Sequence, residues 1–214
     1  GWVMVQDTAW DGYTEIPTRI MQGYTTIGCE IATQLGNIRP THVFLQAGVG
    51  SMAGAMADFF MDLYSDAPPV ITVVEPSNAD CIFRTAAADD GRLHSVGGDL
   101  STIMAGLACG EPCSIGWKML ERSAQNYISM PDYVAANGMR ILGNPLGGDP
   151  RVISGESGAS AFGFAVEALR NPELAGIRAQ LRLNADSRLL CISTEGATDR
   201  ENYRKIVWEG AYSR

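Results

Sequence analysis

The sequence predicts an α/β fold with an open, mainly parallel sheet flanked by helices, and three observations predict it. Short apolar runs bounded by turn residues alternate with longer stretches whose apolar residues recur at helical spacing. Glycines fall at the crossovers, where a strand must turn tightly into a helix. One crossover is the clearest: His42-Val43-Phe44-Leu45-Gln46 runs as a strand into Ala47-Gly48-Val49-Gly50-Ser51 and then into an apolar helix.

Taken in order, Trp2–Gln6 reads as a first strand. Ile16–Leu35 reads as a helix, with Ile20, Tyr24, Ile27, Ile31 and Leu35 on one face. His42–Gln46, Val70–Val74 and Leu189–Ser193 have the composition of strands buried on both faces. Ser51–Tyr64 is helical by Met52, Met56, Phe59, Phe60 and Leu63. Ile115–Ile128 and Asp132–Leu142 read as further helices, the second with Asp132 available as its cap. Gly155–Leu169 is rich in alanine and suits close packing on a sheet, and Arg200–Trp208 reads as a terminal helix. Asn144–Pro150 is the strongest loop, either a lid or a surface turn. The chain opens at Gly1 inside an apparent strand and without an initiator methionine. The expectation is a piece of a longer polypeptide, with residues 1–214 mostly one α/β domain.

At 214 residues the chain can bury a proper core, and its formal charge of −8 argues against nucleic acid or an anionic membrane as the main partner. No apolar run reaches the length of a membrane span, and no secretory signal is visible. The five cysteines are scattered; Cys109 and Cys113 are close, but their spacing is not that of a zinc knuckle and no second pair exists. Free thiols in a reducing cytoplasm are the expectation. His42 and His94 are lone histidines without nearby partners and are read as structural.

In open parallel sheets ligands sit at the carboxyl ends of the strands. The groups to inspect are therefore Asp7, Gly48–Ser51, Glu75-Pro76 and Ser193-Thr194. The glycine turn is a natural anion site, because it brings several N–H groups together at the positive end of the following helix. A Gly-Val-Gly after a strand is just as often a plain tight turn. Read by themselves, Asp7 is a turn former or cap, Ser193 a satisfied strand-end hydroxyl, Glu75 a strand terminator beside Pro76, and Glu156 a cap for its own helix. Cys109 and Cys113 have no visible base and read as inert.

The order of segments adds more. Gln46-Ala47-Gly48-Val49-Gly50-Ser51 is followed by Val73-Val74-Glu75-Pro76, then by Gly97-Gly98-Asp99 with Met104-Ala105-Gly106-Leu107. Ser154-Gly155-Glu156-Ser157-Gly158-Ala159 and Cys191-Ile192-Ser193-Thr194-Glu195-Gly196 complete the series. It resembles the second half of the fold-type II (tryptophan synthase β-like) pyridoxal-phosphate enzymes. Through Gln6-Asp7-Thr8-Ala9-Trp10, Met104–Gly110 and Ile192–Gly196 it is most similar to the diaminopropionate ammonia-lyases.

That resemblance implies a pyridoxal 5′-phosphate cofactor, a small amino-acid substrate, and a parent homodimer that eliminates ammonia from 2,3-diaminopropionate to leave pyruvate. It places Gly48, Val49, Gly50 and Ser51 in the phosphate cup. Ser193, with Thr194 as alternative, becomes the hydroxyl partner of the pyridine nitrogen. Asp7 becomes the base for the L-substrate, and Glu156 lies in a segment near the cofactor ring. The family's Schiff-base lysine is not matched: the only lysines are Lys118 and Lys205, and neither has the expected small-residue surroundings. The second acidic base, for the D-substrate, is unmatched too. The polypeptide is thus expected to be a C-terminal portion, incomplete for catalysis. Two other readings stay open: another fold-type II enzyme, such as a serine or threonine dehydratase or a cysteine synthase-like transferase, and a non-catalytic module that binds a phosphate ligand.

Overall fold

The computed structural model describes residues 1–214, and its centre is β1 (His42–Gln46), a strand with every residue buried. β2 (Val70–Pro76) pairs with it in parallel, His42 opposite Val70 and Gln46 opposite Val74. β3 (Asn126–Met130) extends the sheet beyond β2, and β4 (Leu189–Cys191) lies on the other side of β1. The result is an all-parallel sheet in the order β3-β2-β1-β4.

Parallel neighbours cannot be joined by hairpins, so the crossovers carry helices. α1 (Glu15–Leu35) precedes the sheet, and α2 (Ser51–Leu63) joins β1 to β2. α3 (Cys81–Ala88) and α4 (Ser114–Ser123) lie between β2 and β3. α5 (Asp132–Gly143), α6 (Glu156–Arg170) and α7 (Ala175–Gln180) lie between β3 and β4, and α8 (Arg200–Val207) closes the chain. Strand alternation sends Val43, Leu45 and the neighbouring Ile71 to one face, where Met56, Phe60 and Leu120 cover them. Phe44 and Val74 point to the other face, against Met130, Phe164 and Ala165. Both faces are covered at β1 and β2, which explains why these two read as continuous apolar runs; the strand expected over Leu189–Ser193 as buried on both faces is instead the half-buried edge strand β4, which stops at Cys191.

Four expectations need correction. Trp2–Gln6 is not a strand: Trp2, Val3, Met4 and Val5 are exposed and no neighbour offers them a ladder. The segment is held only at its end, where the Tyr13 hydroxyl donates to the Met4 carbonyl at 3.0 Å and accepts from the Gln6 amide at 3.1 Å. The helix expected over Ile115–Ile128 stops at Ser123, because Gln125 bonds Ile71 through both backbone and side chain and draws Asn126–Met130 into the sheet as β3. Asp132 does not cap α5; its carboxylate takes the Thr102 hydroxyl and the Ile103 amide instead. His42 is structural as expected but not partnerless, since its ring joins Thr41 to the Leu181 carbonyl; His94 pairs with Asp90. Asn144–Pro150 is a surface turn with Leu146 exposed.

Two contacts set the position of the loop after β1. A Cβ on Gly54 would lie 2.7 Å from the Gly116 carbonyl oxygen, and one on Gly116 2.7 Å from that of Gly50. α4 therefore packs backbone to backbone on the start of α2. Gly116→Ala should push α4 off this loop and cost about 1–3 kcal/mol of stability, read from the midpoint of urea unfolding.

The second contact is Glu75, fully buried within β2 rather than ending it. Its two carboxylate oxygens accept the Ile82 amide at 2.9 Å and the Phe83 amide at 2.6 Å, so it caps α3 from the sheet. Burial outweighs those two donors and pushes its carboxyl from 4.5 up to about 8. The folded chain thus keeps a proton that the unfolded chain releases near 4.5, and stability falls as pH rises through the window up to about 8. Glu75→Gln should flatten that slope, which urea midpoints at about pH 5 and about pH 8 would measure.

Candidate functional site

The chain leaves β1 with the Ala47 amide still bonded to the Val74 carbonyl at 3.0 Å, and then the ladder ends. From there the carbonyls turn back into the protein. That of Val49 accepts the Cys113 amide at 2.7 Å, that of Gly50 the Gly54 amide at 2.8 Å, and that of Gly48 faces the Cys81 thiol at 3.6 Å. The amides of residues 48–51 face the other way, and none donates to a backbone carbonyl. The Val49 amide points toward the Cys109 sulfur. Glycine is needed twice. Gly50 has φ +90°, and a Cβ there would lie 2.9 Å from Ile82. A Cβ on Gly48 would lie 3.0 Å from the Cys109 sulfur and 3.3 Å from the Gly106 carbonyl oxygen.

These amides open into a cavity of about 630 Å³ at the carboxyl end of the sheet. Asp7, Gly48, Val49, Gly50, Ser51, Ser193 and Thr194 all line it, so residues far apart in sequence meet there. Glu156 does not. It begins α6, bonds Asn202, and faces a second cavity with Asp132 and Asp199; burial raises its carboxyl above the ordinary value.

The Ser51 side chain is buried and its hydroxyl donates to the Asp7 carbonyl at 2.7 Å. Ser51 therefore offers the cavity its amide, while its hydroxyl fixes the backbone that carries Asp7. Beside Asp7 lies Tyr24, whose phenol is raised first by burial and then by the Asp7 charge. Ser193 Oγ lies 2.8 Å from Ser154 Oγ, and Thr194 Oγ1 accepts from Gln46 Nε2 at 2.9 Å. Cys109 lines the cavity with its thiol raised by burial, and Cys113 is buried, its sulfur accepting the Ala9 amide at 3.3 Å. Both read as inert thiols, in line with their sequence context.

Three polar lining residues, Gln46, Ser157 and Glu195, stand in the quoted segments but were given no role there. Glu195 accepts the Ser157 amide at 2.7 Å and so holds the start of α6 to the turn after β4. Gln46 Oε1 and Ser157 Oγ are buried without a partner. An orphaned polar atom costs about 1–3 kcal/mol, and two in one cavity fit a polar guest. The signal for Gln46 was available as a lone amide closing an apolar strand; Ser157 and Glu195 have no comparable local mark. Lys118 and Lys205 are exposed on α4 and α8 and neither lines the cavity. No group of His, Cys, Asp and Glu is arranged to hold a metal ion.

The diaminopropionate ammonia-lyase of Escherichia coli K12 is 51% identical over the whole chain, which covers 54% of that relative. The one from Salmonella typhimurium LT2 is 48% identical, with 98% of this chain and 53% of the relative covered. The chain thus spans about half the length of the curated relatives it matches. Among solved structures, the Escherichia coli lyase in complex with an aminoacrylate-PLP azomethine reaction intermediate superposes with a TM-score of 0.92 at 49% identity, over 99% of this chain and 54% of that one. A fungal L-serine ammonia-lyase from Rhizomucor miehei, at 19% identity and a TM-score of 0.69 over 88% of this chain and 56% of that one, shares the fold. A family model described as "Pyridoxal-phosphate dependent enzyme" matches residues 1–186, and the chain belongs to that family.

Proposed function

We propose that this chain carries the phosphate grip, the ring-nitrogen contact and the base of an α,β-elimination that converts 2,3-diaminopropionate to pyruvate and ammonia. The observation that carries this reading is a single cavity that joins the turn of residues 48–51, whose amides donate to no backbone carbonyl, to Asp7. A plain βα turn has no reason to leave its donors facing an acid contributed from about 40 residues upstream. The family's cofactor fits this lining. A phosphate ester takes the amides and the positive end of α2, and a polar ring satisfies buried groups otherwise without partners.

When bound, that cofactor draws in the electron pair that Cα–H cleavage leaves behind. The remaining work belongs to the chain's own residues. Ser193, or Thr194 beside it, supplies a hydroxyl at the ring nitrogen; a hydroxyl leaves that nitrogen largely unprotonated and so favours elimination over transamination. Asp7 takes the Cα proton of the L-substrate, aimed by the Ser51 bond to its backbone. Glu156, outside the cavity, supports the site through Asn202 and α6. The anchoring amine is not in this lining, which supports reading the chain as the C-terminal portion of a longer lyase whose N-terminal part carries that lysine. Exposed Trp2, Trp208 and Leu146 suit further contacts, including the parent's homodimer interface. Five free cysteines suit the cytoplasm, and no helix is long and apolar enough to cross a membrane.

Two experiments on the full-length protein test this reading. Asp7→Asn should lower pyruvate release from L-2,3-diaminopropionate by about 10²–10⁴-fold while leaving cofactor absorbance intact; undiminished turnover removes Asp7 from the mechanism. Gly50→Ala, with its side chain driven toward Ile82, should weaken cofactor binding by about tenfold or more in an equilibrium titration.

A further inference from the structure

We propose that Gln46 is a positioning residue for the ring-nitrogen end of the cavity, which rests on the cofactor reading above: its carboxamide holds the turn that carries Ser193 and Thr194. Gln46 is the last residue of β1 and 1% exposed, after the apolar Val43, Phe44 and Leu45. Chemistry fixes which way its amide points. The Ile192 carbonyl, 2.8 Å away, can only accept, so the atom facing it is Nε2. The second hydrogen of Nε2 goes to Thr194 Oγ1 at 2.9 Å. One side chain therefore grips the chain immediately before and immediately after Ser193.

The sheet itself does not do this. β4 pairs with β1 only through Leu189, Leu190 and Cys191, opposite His42, Val43 and Phe44. Past Cys191 no residue of β4 pairs with Leu45 or Gln46, so on that side the ladder stops short of Ser193, whose turn is otherwise tied toward the start of α6 by the Glu195 carbonyl and carboxylate. Gln46 replaces that ladder with two side-chain bonds. It also sets a direction for one proton: with the Thr194 oxygen accepting from Gln46, the Thr194 hydrogen is left to donate elsewhere. Gln46 Oε1 is buried and has no partner within the protein.

The test uses the holoenzyme with Gln46→Leu, and Gln46→Met as the closer volume match should the first fail to fold. Readouts are the absorption and fluorescence of the bound cofactor, its dissociation constant, and kcat and KM taken separately. Loss of the clamp should weaken cofactor binding by about tenfold, shift the cofactor spectrum, and lower kcat more than it raises KM. In a background of Ser193→Ala with Thr194→Val, the same Gln46 substitution should change each quantity by less than about twofold, because the groups it positions are gone. Equal effects in both backgrounds would overturn the proposal, as would a lower melting temperature with an unchanged spectrum. A spectrum that responds to Gln46 in an enzyme making no pyruvate from diaminopropionate would support this role and refute the substrate. A parent protein that shows no cofactor spectrum would overturn both.

Discussion

The direction of the peptide groups at residues 48–51 is the constraint on which the rest depends. In a tight turn each peptide must point its carbonyl one way and its amide the other. Here the carbonyls of Val49 and Gly50 are taken up by Cys113 and Gly54, which leaves the amides on the cavity side. That arrangement needs glycine at Gly50, where φ is +90°, and it needs something rigid behind the turn to receive the carbonyls. α4 supplies the rigid part. Its Gly116 lets the two backbones touch, and the Cys113 amide at its start holds the Val49 carbonyl. An anion-binding loop is thus built by turning its acceptors inward, onto the protein.

The same pattern governs the neighbouring groups. Ser51 directs its hydroxyl to the Asp7 backbone, Glu75 gives both oxygens to α3, and Glu195 holds α6 to the turn after β4. Each is a bond from a polar side chain to a main-chain group on another element, and together they tie loops that no ladder reaches. The acids of this region therefore divide by environment. Glu75 is buried and carries a proton that its surroundings favour, while Asp7 stands at the cavity wall where a substrate can meet it.

How much of this could be read in advance depended on the range of the signal. β1, α1, α2, α5, α6 and α8 were legible because their periodicities are local, and the glycine turn because its residue types are few. β3 was not, since Gln125 reaches across to Ile71 to decide where α4 ends, and nothing near Asn126 announces it. Trp2–Gln6 has strand-like composition but no neighbour, and a strand is a property of pairs. The candidate site divided the same way. The turn and Ser193–Thr194 were singled out from their place after strands and from the family resemblance, and Asp7 from that resemblance and from a strand that does not form; all of them line one cavity. The turning of Glu156 to the far side of α6, and the clamp by Gln46, are set by which way side chains leave their elements, which no one-dimensional spacing records.

Charge gives the last step. The cavity is lined by two carboxylates, Asp7 and Glu195, and by no lysine or arginine. From this chain a phosphate would meet only amides and the positive end of α2, with no counter-ion among the lining residues, so the share of its affinity that these residues supply depends on geometry more than on salt. That places the weight back on the turn: an amide is a fixed partial charge, useful only where its backbone holds it, and Gly50, Gly54 and Gly116 are what let that backbone be held.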